Sequence, residues 1–303
     1  MQALADGRVL AALEGITLEC WSPASDDPAW QVPADGIGCQ VAVLPDERTA
    51  LALTSLVDGR ARESSVVVAV DLEDGTVRET HPATAPAILV SRADGRWALR
   101  TTATGDGKVT LGARQRIVAL GRYDLFNHYF DIRYAPDLLF LQGVRDKWVV
   151  AVDGRARRLF PLEWDESRGG RLFGGCGAYL SDRAGPALVH SGTIHDGAGL
   201  LAGNSFVARR AYPTGGLAWV FTADHQATAL DVDGDLVYVT FNSGELVVLR
   251  ATDGAVQARQ QLRVNGHRVV PLSLACAGTG RVVIGTLDGR VLDCSITAST
   301  RPD

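Results

Sequence analysis

Apolar residues in this chain come in short alternating runs separated by glycine-bearing polar turns. The clearest unit begins at Trp219. An apolar stretch reaches Ala229, a turn follows at Asp233-Gly234, and residues Leu236 to Thr240 alternate. A second turn at Asn242 to Gly244 leads to residues Glu245 to Arg250, and a third at Asp253-Gly254 leads to a further strand from Val256. Successive side chains of an extended strand point to opposite faces, so period-two runs predict strands. Asp-Gly and Asn-Gly turns close tight hairpins because glycine takes positive φ without steric cost. The unit therefore predicts four short antiparallel strands.

The unit recurs. The turn before the second strand falls at Asp6, Asp46, Asp94, Asp137, Asp182, Asp233 and Thr279, roughly 45 residues apart. Asp106-Gly107, Asp196-Gly197 and Asp288-Gly289 match the second turn, and Asp74-Gly75 and Asp153-Gly154 the third. No stretch keeps a 3.6-residue period; residues 2–13 and 197–211 come nearest and are broken by glycines and turn residues. Helix content is expected to be low.

The segment from Trp219 to Gly254, with its W-x-F, D-G-D-x-V-Y-V, G-x-L-x-x-L and D-G elements, resembles the repeat of the quinoprotein-like (PQQ-like, YVTN-type) β-propellers, more distantly that of WD40 rings. Trp30, placed before Asp46 as Trp219 is before Asp233, carries the same feature. The resemblance implies an all-β, seven-bladed propeller of four-stranded antiparallel blades, with residues 1–303 as a single domain. Such folds host scaffolds, binders and enzymes alike, so the resemblance implies no activity. The adjacent cysteines of the quinone dehydrogenases are absent, and no bound quinone is expected. The last unit provides only three strands before a tail at residues 297–303. It is either three-stranded or completed by the residues before Asp6. An uncovered strand edge invites pairing, which makes the seam a candidate interaction surface.

Composition refines this reading. Glycine accounts for 33 of 303 residues, much of it at the repeated turns, but Gly169, Gly170, Gly174, Gly175 and Gly177 cluster in one long connection. A net charge of -5 without long single-sign runs argues against nucleic acid or an anionic membrane as partner. No apolar run reaches bilayer-spanning length, and the N-terminal residues lack the apolar core of a secretory signal, so a soluble, cytoplasmic protein is expected. The five cysteines are odd in number, scattered and without a C-x-x-C pair, which predicts reduced thiols rather than a disulfide framework or zinc site.

Candidate chemistry gathers in the connections. Labelling the strands A to D from the axis outward puts the D-to-A connections and B-to-C turns on one face. His81, His128, His225 and His267 fall in D-to-A connections and His195 in a B-to-C turn, with His190 nearby. Residues 121–134 concentrate Tyr123, Phe126, Tyr129, Phe130 and Tyr134, a set suited to anchoring a partner or stacking on a flat ligand. Residues 164–177 mix Asp165, Glu166, Arg168 and Arg171 with the clustered glycines, as a lid or a solvated insertion would. Walker A, G-x-S-x-G, G-x-G-x-x-G and H-E-x-x-H motifs are absent.

Two functions stay open. The first is a binding platform for a protein partner or small-molecule ligand, using Tyr123, Phe126, His128, Tyr129, Asp165, Arg168, Arg171 and His195. The second is a lyase, isomerase or hydrolase with its site at the axial mouth, where His128, His195, His225 or His267 act as acid and base. No cofactor is expected. A divalent metal enters only if three of those four histidines converge.

Overall fold

The computed structural model describes residues 1–13, 17–33, 37–57, 63–84, 87–91, 97–101, 106–111, 116–122, 132–134, 138–142, 146–151, 156–161, 171–195, 200–278 and 280–296. The described residues form strands and turns and no helix. The chain falls into two compact units. One comprises Met1–Leu125, Pro136–Leu139 and Val150–Ala156; the other comprises Phe126–Ala135, Phe140–Val149 and Arg157–Asp303.

In the first unit, β1 (Gln2–Ala3), β2 (Val9–Leu13), β3 (Thr17–Trp21) and β4 (Pro28–Pro33) form a four-stranded meander. The same order repeats in β5 (Ile37–Val43), β6 (Thr49–Val57), β7 (Glu63–Asp71) and β8 (Val77–Thr84), and in β9 (Ala87–Ser91), β10 (Trp97–Thr101), β11 (Asp106–Leu111) and β12 (Arg116–Arg122). In chain order there follow the short β13 (Ile132–Arg133), which belongs to the second unit, and a three-stranded sheet of β14 (Leu138–Gln142), β15 (Asp146–Ala151) and β16 (Ala156–Pro161).

The second unit continues with β17 (Arg171–Asp182), β18 (Gly185–His195), β19 (Leu200–Ala211) and β20 (Leu217–Ala223). A further four-stranded sheet consists of β21 (Ala227–Asp233), β22 (Leu236–Phe241), β23 (Glu245–Arg250) and β24 (Val256–Gln261). A two-stranded ribbon of β25 (Arg263–Val264) and β26 (His267–Arg268) precedes the last sheet, β27 (Pro271–Cys276), β28 (Arg281–Thr286) and β29 (Val291–Ser295).

Within each unit neighbouring sheets stack face to face, so their middle strands are apolar on both sides. In β6, Ala50 and Ala52 pack with Leu10, Leu18 and Trp30 of the preceding sheet, while Leu51 and Leu53 pack with Leu89, Trp97 and Leu99 of the following one. In β23, Val247 and Leu249 join the core containing Val189 and Trp219, whereas Leu246 and Val248 join Leu274 and Ile284. Sheets buried on both faces read as nearly continuous hydrophobic runs. The recurring turn aspartates have a common role: the carboxylates of Asp6, Asp46, Asp74, Asp182 and Asp253 each accept a hydrogen bond from the backbone N–H two residues on, at 2.8 to 3.0 Å. Such side chains mimic a backbone turn.

The two repeat tryptophans lock one sheet to the next. Trp219 of β20 donates from Nε1 to the Ala251 carbonyl at 2.9 Å, and its ring lies on Gly254 in the β23–β24 turn, where a Cβ would come within 2.8 Å. Trp30 of β4 does the same with the Leu72 carbonyl, at 3.2 Å, and Gly75 in the β7–β8 turn. In each case an arginine shares the carbonyl: Arg209 donates to Ala251 at 2.7 Å and Arg8 to Leu72 at 2.6 Å. Each arginine is tied to the aspartate of its own sheet's first turn, Asp182 or Asp6. The arginine comes from the third strand in one sheet and from the start of the second in the other, so the same arrangement is built from different sequence positions.

Several expectations need correction. Composition predicts a loop at the clustered glycines, but from Arg171 onward they lie in β17, with a bulge between Gly174 and Gly177. A Cβ on Gly175 would meet the Ser191 Oγ at 2.3 Å, so this glycine permits close strand approach. Asp106-Gly107 opens β11 instead of forming a turn, and His81 lies in β8 instead of a connection. Ile132 and Arg133 pair in parallel with Gly177 and Ala178 of β17. The residues before Asp6 pair with Val9 and Leu10 and form the first strand of the first sheet, leaving the last sheet with three described strands.

Candidate interaction surface

Strand direction in the second unit gathers the D-to-A connections and B-to-C turns at one end of the sheets, as the strand labelling predicts. The Asn242 N–H donates to the Gln226 carbonyl at 2.9 Å, tying the β20–β21 connection to the β22–β23 turn. Leu262 N–H reaches the Gly244 carbonyl at 2.7 Å, and the Gln261 amide donates to the carbonyls of Ser243 and Gly244. The Leu287 N–H donates to the Val270 carbonyl at 2.8 Å, repeating the connection-to-turn tie in the last sheet. These connections are therefore tied to neighbouring turns by main-chain and Gln261 side-chain hydrogen bonds, on a frame of strands.

Arg171 and His195 are direct cross-strand partners where β17 begins and β18 ends. His225 is exposed in the β20–β21 connection beside the exposed Asp224. His267 is exposed in the β25–β26 ribbon, which also presents Arg263 and Arg268 to solvent. The ribbon turns through Asn265 and Gly266, both at positive φ, and Arg263 donates to the Gly266 carbonyl at 2.7 Å. Tyr123, Phe126, His128, Tyr129, Asp165 and Arg168 lie outside the described residues.

The remaining histidines have structural surroundings. His81 pairs with Glu79 at 2.8 Å and packs 5.3 Å from the Trp97 ring. His190 is buried in mid-β18 with Phe206 edge-on to its ring. Among the described residues no three His, Cys, Asp or Glu side chains are grouped to hold a metal.

Toward the same end, β17 to β19 carry buried small polar side chains. The Ser191 hydroxyl donates to the Cys176 carbonyl at 3.0 Å and lies 3.3 Å from the Cys176 Sγ, and the Thr193 and Ser205 hydroxyls are 3.5 Å apart. The neighbouring sheet repeats the pattern with Thr228 and Thr240, 3.0 Å apart.

Of the aromatic segment, Tyr134 is described. Its hydroxyl donates to Asp231 Oδ1 at 2.7 Å, and the fully buried Asp231 also accepts the N–H groups of Val232, at 2.9 Å, and Cys276, at 2.8 Å. A buried carboxylate requires such donors. Together with β13, this bond fastens the end of the aromatic segment to β17 and β21, and the Cys276 N–H ties Asp231 in turn to β27. Asp231 was not anticipated as a pairing site, although a lone acidic residue in the otherwise apolar start of β21 was the available signal.

No family matches the chain, and no curated protein matches it in sequence. Solved structures do match. The β-propeller domain of Myceliophteria thermophila Cps50 (Swd1) superposes with a TM-score of 0.65 at 11% identity, covering 97% of this chain and 95% of that one. The fold is a β-propeller. BamB from Moraxella catarrhalis matches over 97% of this chain and 95% of its own, with a TM-score of 0.57 and 14% identity. The computationally designed Ika8 protein matches over 96% and 81%, with a TM-score of 0.58 and 14% identity. At these identities the likeness establishes architecture, and the repeat resemblance at Trp219 to Gly254 is accounted for by it. No helix among the described residues is long and apolar enough to cross a membrane.

Proposed function

We propose that the chain is a seven-bladed propeller that acts as a cytoplasmic platform for a protein partner, using the end that carries its D-to-A connections and B-to-C turns. The tethering of these connections to neighbouring turns carries the proposal, because it presents side chains on a surface already ordered before binding. Preorganisation lowers the entropic cost of association. The recognition set is Arg171 and His195 where β17 begins and β18 ends, His225 in its connection, and the exposed ribbon residues Arg263, His267 and Arg268. To this set we add, from the sequence alone, Tyr123, Phe126, His128, Tyr129, Asp165 and Arg168, which lie outside the described residues. Arginine and aromatic side chains are the residue types that dominate interface energetics.

Affinity purification of the tagged protein with quantitative mass spectrometry tests this reading. A stoichiometric protein partner should be recovered with the wild type and reduced at least tenfold by the double variant His225→Glu/His267→Glu at unchanged thermal stability. Full retention of the partner by that variant would overturn the proposed face.

A further inference from the structure

The last sheet differs from the complete four-stranded ones at its outer edge. β29 pairs with β28 on one side, and no other described strand joins it. The direction of its free main-chain groups follows from two flanking bonds. The Thr286 N–H donates to the Arg290 carbonyl and the Ile296 N–H to the Gly280 carbonyl, so 286–290 and 280–296 are hydrogen-bonded pairs. Antiparallel ladders alternate bonded and non-bonded pairs. With Gly285 opposite Val291, Val283 opposite Asp293 and Arg281 opposite Ser295, those three pairs are non-bonded. The N–H and C=O groups of Val291, Asp293 and Ser295 therefore point away from β28, into the place a fourth strand occupies in the complete sheets.

The side chains tell the same story. In the sheet before, the third strand β23 is buried along its middle beneath β24. In β29 the corresponding pattern alternates exposed and half-buried, and Leu292, Cys294 and Ile296 are only partly covered at the margin of the core that contains Leu274 and Ile284. Exposed apolar residues collect at the same corner: Val291, Leu272 in the β27 bulge and Leu287 in the β28–β29 turn are 36%, 49% and 66% exposed. The complete sheet also shows how charge is matched across such an edge, since Arg259 of β24 grips Glu245 of β23 through both guanidinium nitrogens, at 2.5 and 2.9 Å. On β29 the acidic counterpart is Asp293, held by Arg281 from the inner side and 52% exposed on its own.

We infer that the β29 edge is a second binding site, separate from the loop face. It accepts an extended segment of a partner protein as an antiparallel fourth strand. The segment that fits has apolar side chains at alternate positions, covering Leu292, Cys294 and Ile296, and a basic residue opposite Asp293. Main-chain pairing gives affinity in strand addition and the alternate side chains give selectivity.

A labelled synthetic peptide tests this on the whole protein. The probe is an octapeptide alternating valine with lysine and arginine, titrated by fluorescence anisotropy. Its control carries N-methyl groups on the amides that face β29. Binding is expected for the probe and at least a tenfold loss for the control. Asp293→Pro removes one outward N–H without touching a bond to β28, and proline is tolerated at such edge positions. It should abolish binding while Asp293→Ala, which keeps the N–H, retains most of it. Hydrogen exchange should show Val291, Asp293 and Ser295 becoming protected when the probe binds. Equal binding of probe and control, or of the proline and alanine variants, would overturn the inference. So would a wild-type dimer that Asp293→Pro converts to monomer, which would make a second copy the occupant. Binding that appears only after removal of residues 297–303 would assign the edge to the chain's own tail and equally overturn it.

Discussion

Gly254→Ala probes the tryptophan lock between two sheets. The new Cβ would lie 2.8 Å from Cδ2 and Cε3 of Trp219, where carbon atoms normally rest about 3.5 to 4.0 Å apart. The backbone here has φ +74°, so alanine also bears the left-handed penalty of about 1–2 kcal/mol. Overpacking against a ring fixed by its bond to the Ala251 carbonyl adds about 1–3 kcal/mol. The expected total is about 2–5 kcal/mol. Gly234→Ala isolates the backbone part, because Gly234 has φ +54° and nothing within 4 Å of a new Cβ. It should cost only about 1–2 kcal/mol. Urea unfolding followed by far-ultraviolet circular dichroism reads the difference as a shift in midpoint at constant slope. In a Trp219→Ala background the clash disappears, so the double-mutant cycle should show coupling of about 1–3 kcal/mol. Equal costs for the two glycine substitutions, or coupling within experimental error, would refute the packing argument.

Other consequences follow from named contacts. Arg209→Met strands Asp182 beside the Ala251 carbonyl without its bidentate partner and should cost about 3–5 kcal/mol, measured by the same denaturation. The Arg209 guanidinium beside Asp182 holds its carboxyl below the usual carboxylate value. A depressed folded-state value contributes stability that is present above the unfolded pKa near 4 and is lost as pH falls through the folded value, so wild-type midpoints should drop on acidification below about pH 4 and those of Asp182→Asn should drop less. Tyr134→Phe removes the hydroxyl donor to the buried Asp231 and should cost about 1–3 kcal/mol in chemical unfolding. A crystal structure should count seven blades around one axis, and six or eight would correct the repeat assignment.

Much of the fold was written in local chemistry. Asp233-Gly234, Asn242 to Gly244 and Asp253-Gly254 mark hairpins because glycine conformation and aspartate turn bonds act within a few residues, and the strands around them stand where the period-two pattern puts them. Where long-range pairing decides, the sequence was less legible. The glycines near Cys176 look like a loop by composition, yet the approach of Ser191 across the sheet makes Gly175 a strand residue. Ile132 and Arg133 join β17 in parallel, a partner that no local pattern announces. For the proposed recognition surface, sequence periodicity assigned His225 and His267 to connections, and the register of β17 with β18 puts Arg171 opposite His195. The ribbon geometry that exposes Arg263 and Arg268 depends on positive φ at Asn265 and Gly266, which a dipeptide signals only weakly.

Site-specific photo-crosslinking in cells tests the interaction platform most directly. A photoreactive residue placed at 225, 267 or 268, on the connection end, should yield discrete higher-mass adducts to one protein partner. The same residue at 47, 183 or 235, in the turns before the second strands, should yield none. Adducts arising from the second set and not the first would contradict the proposed recognition surface.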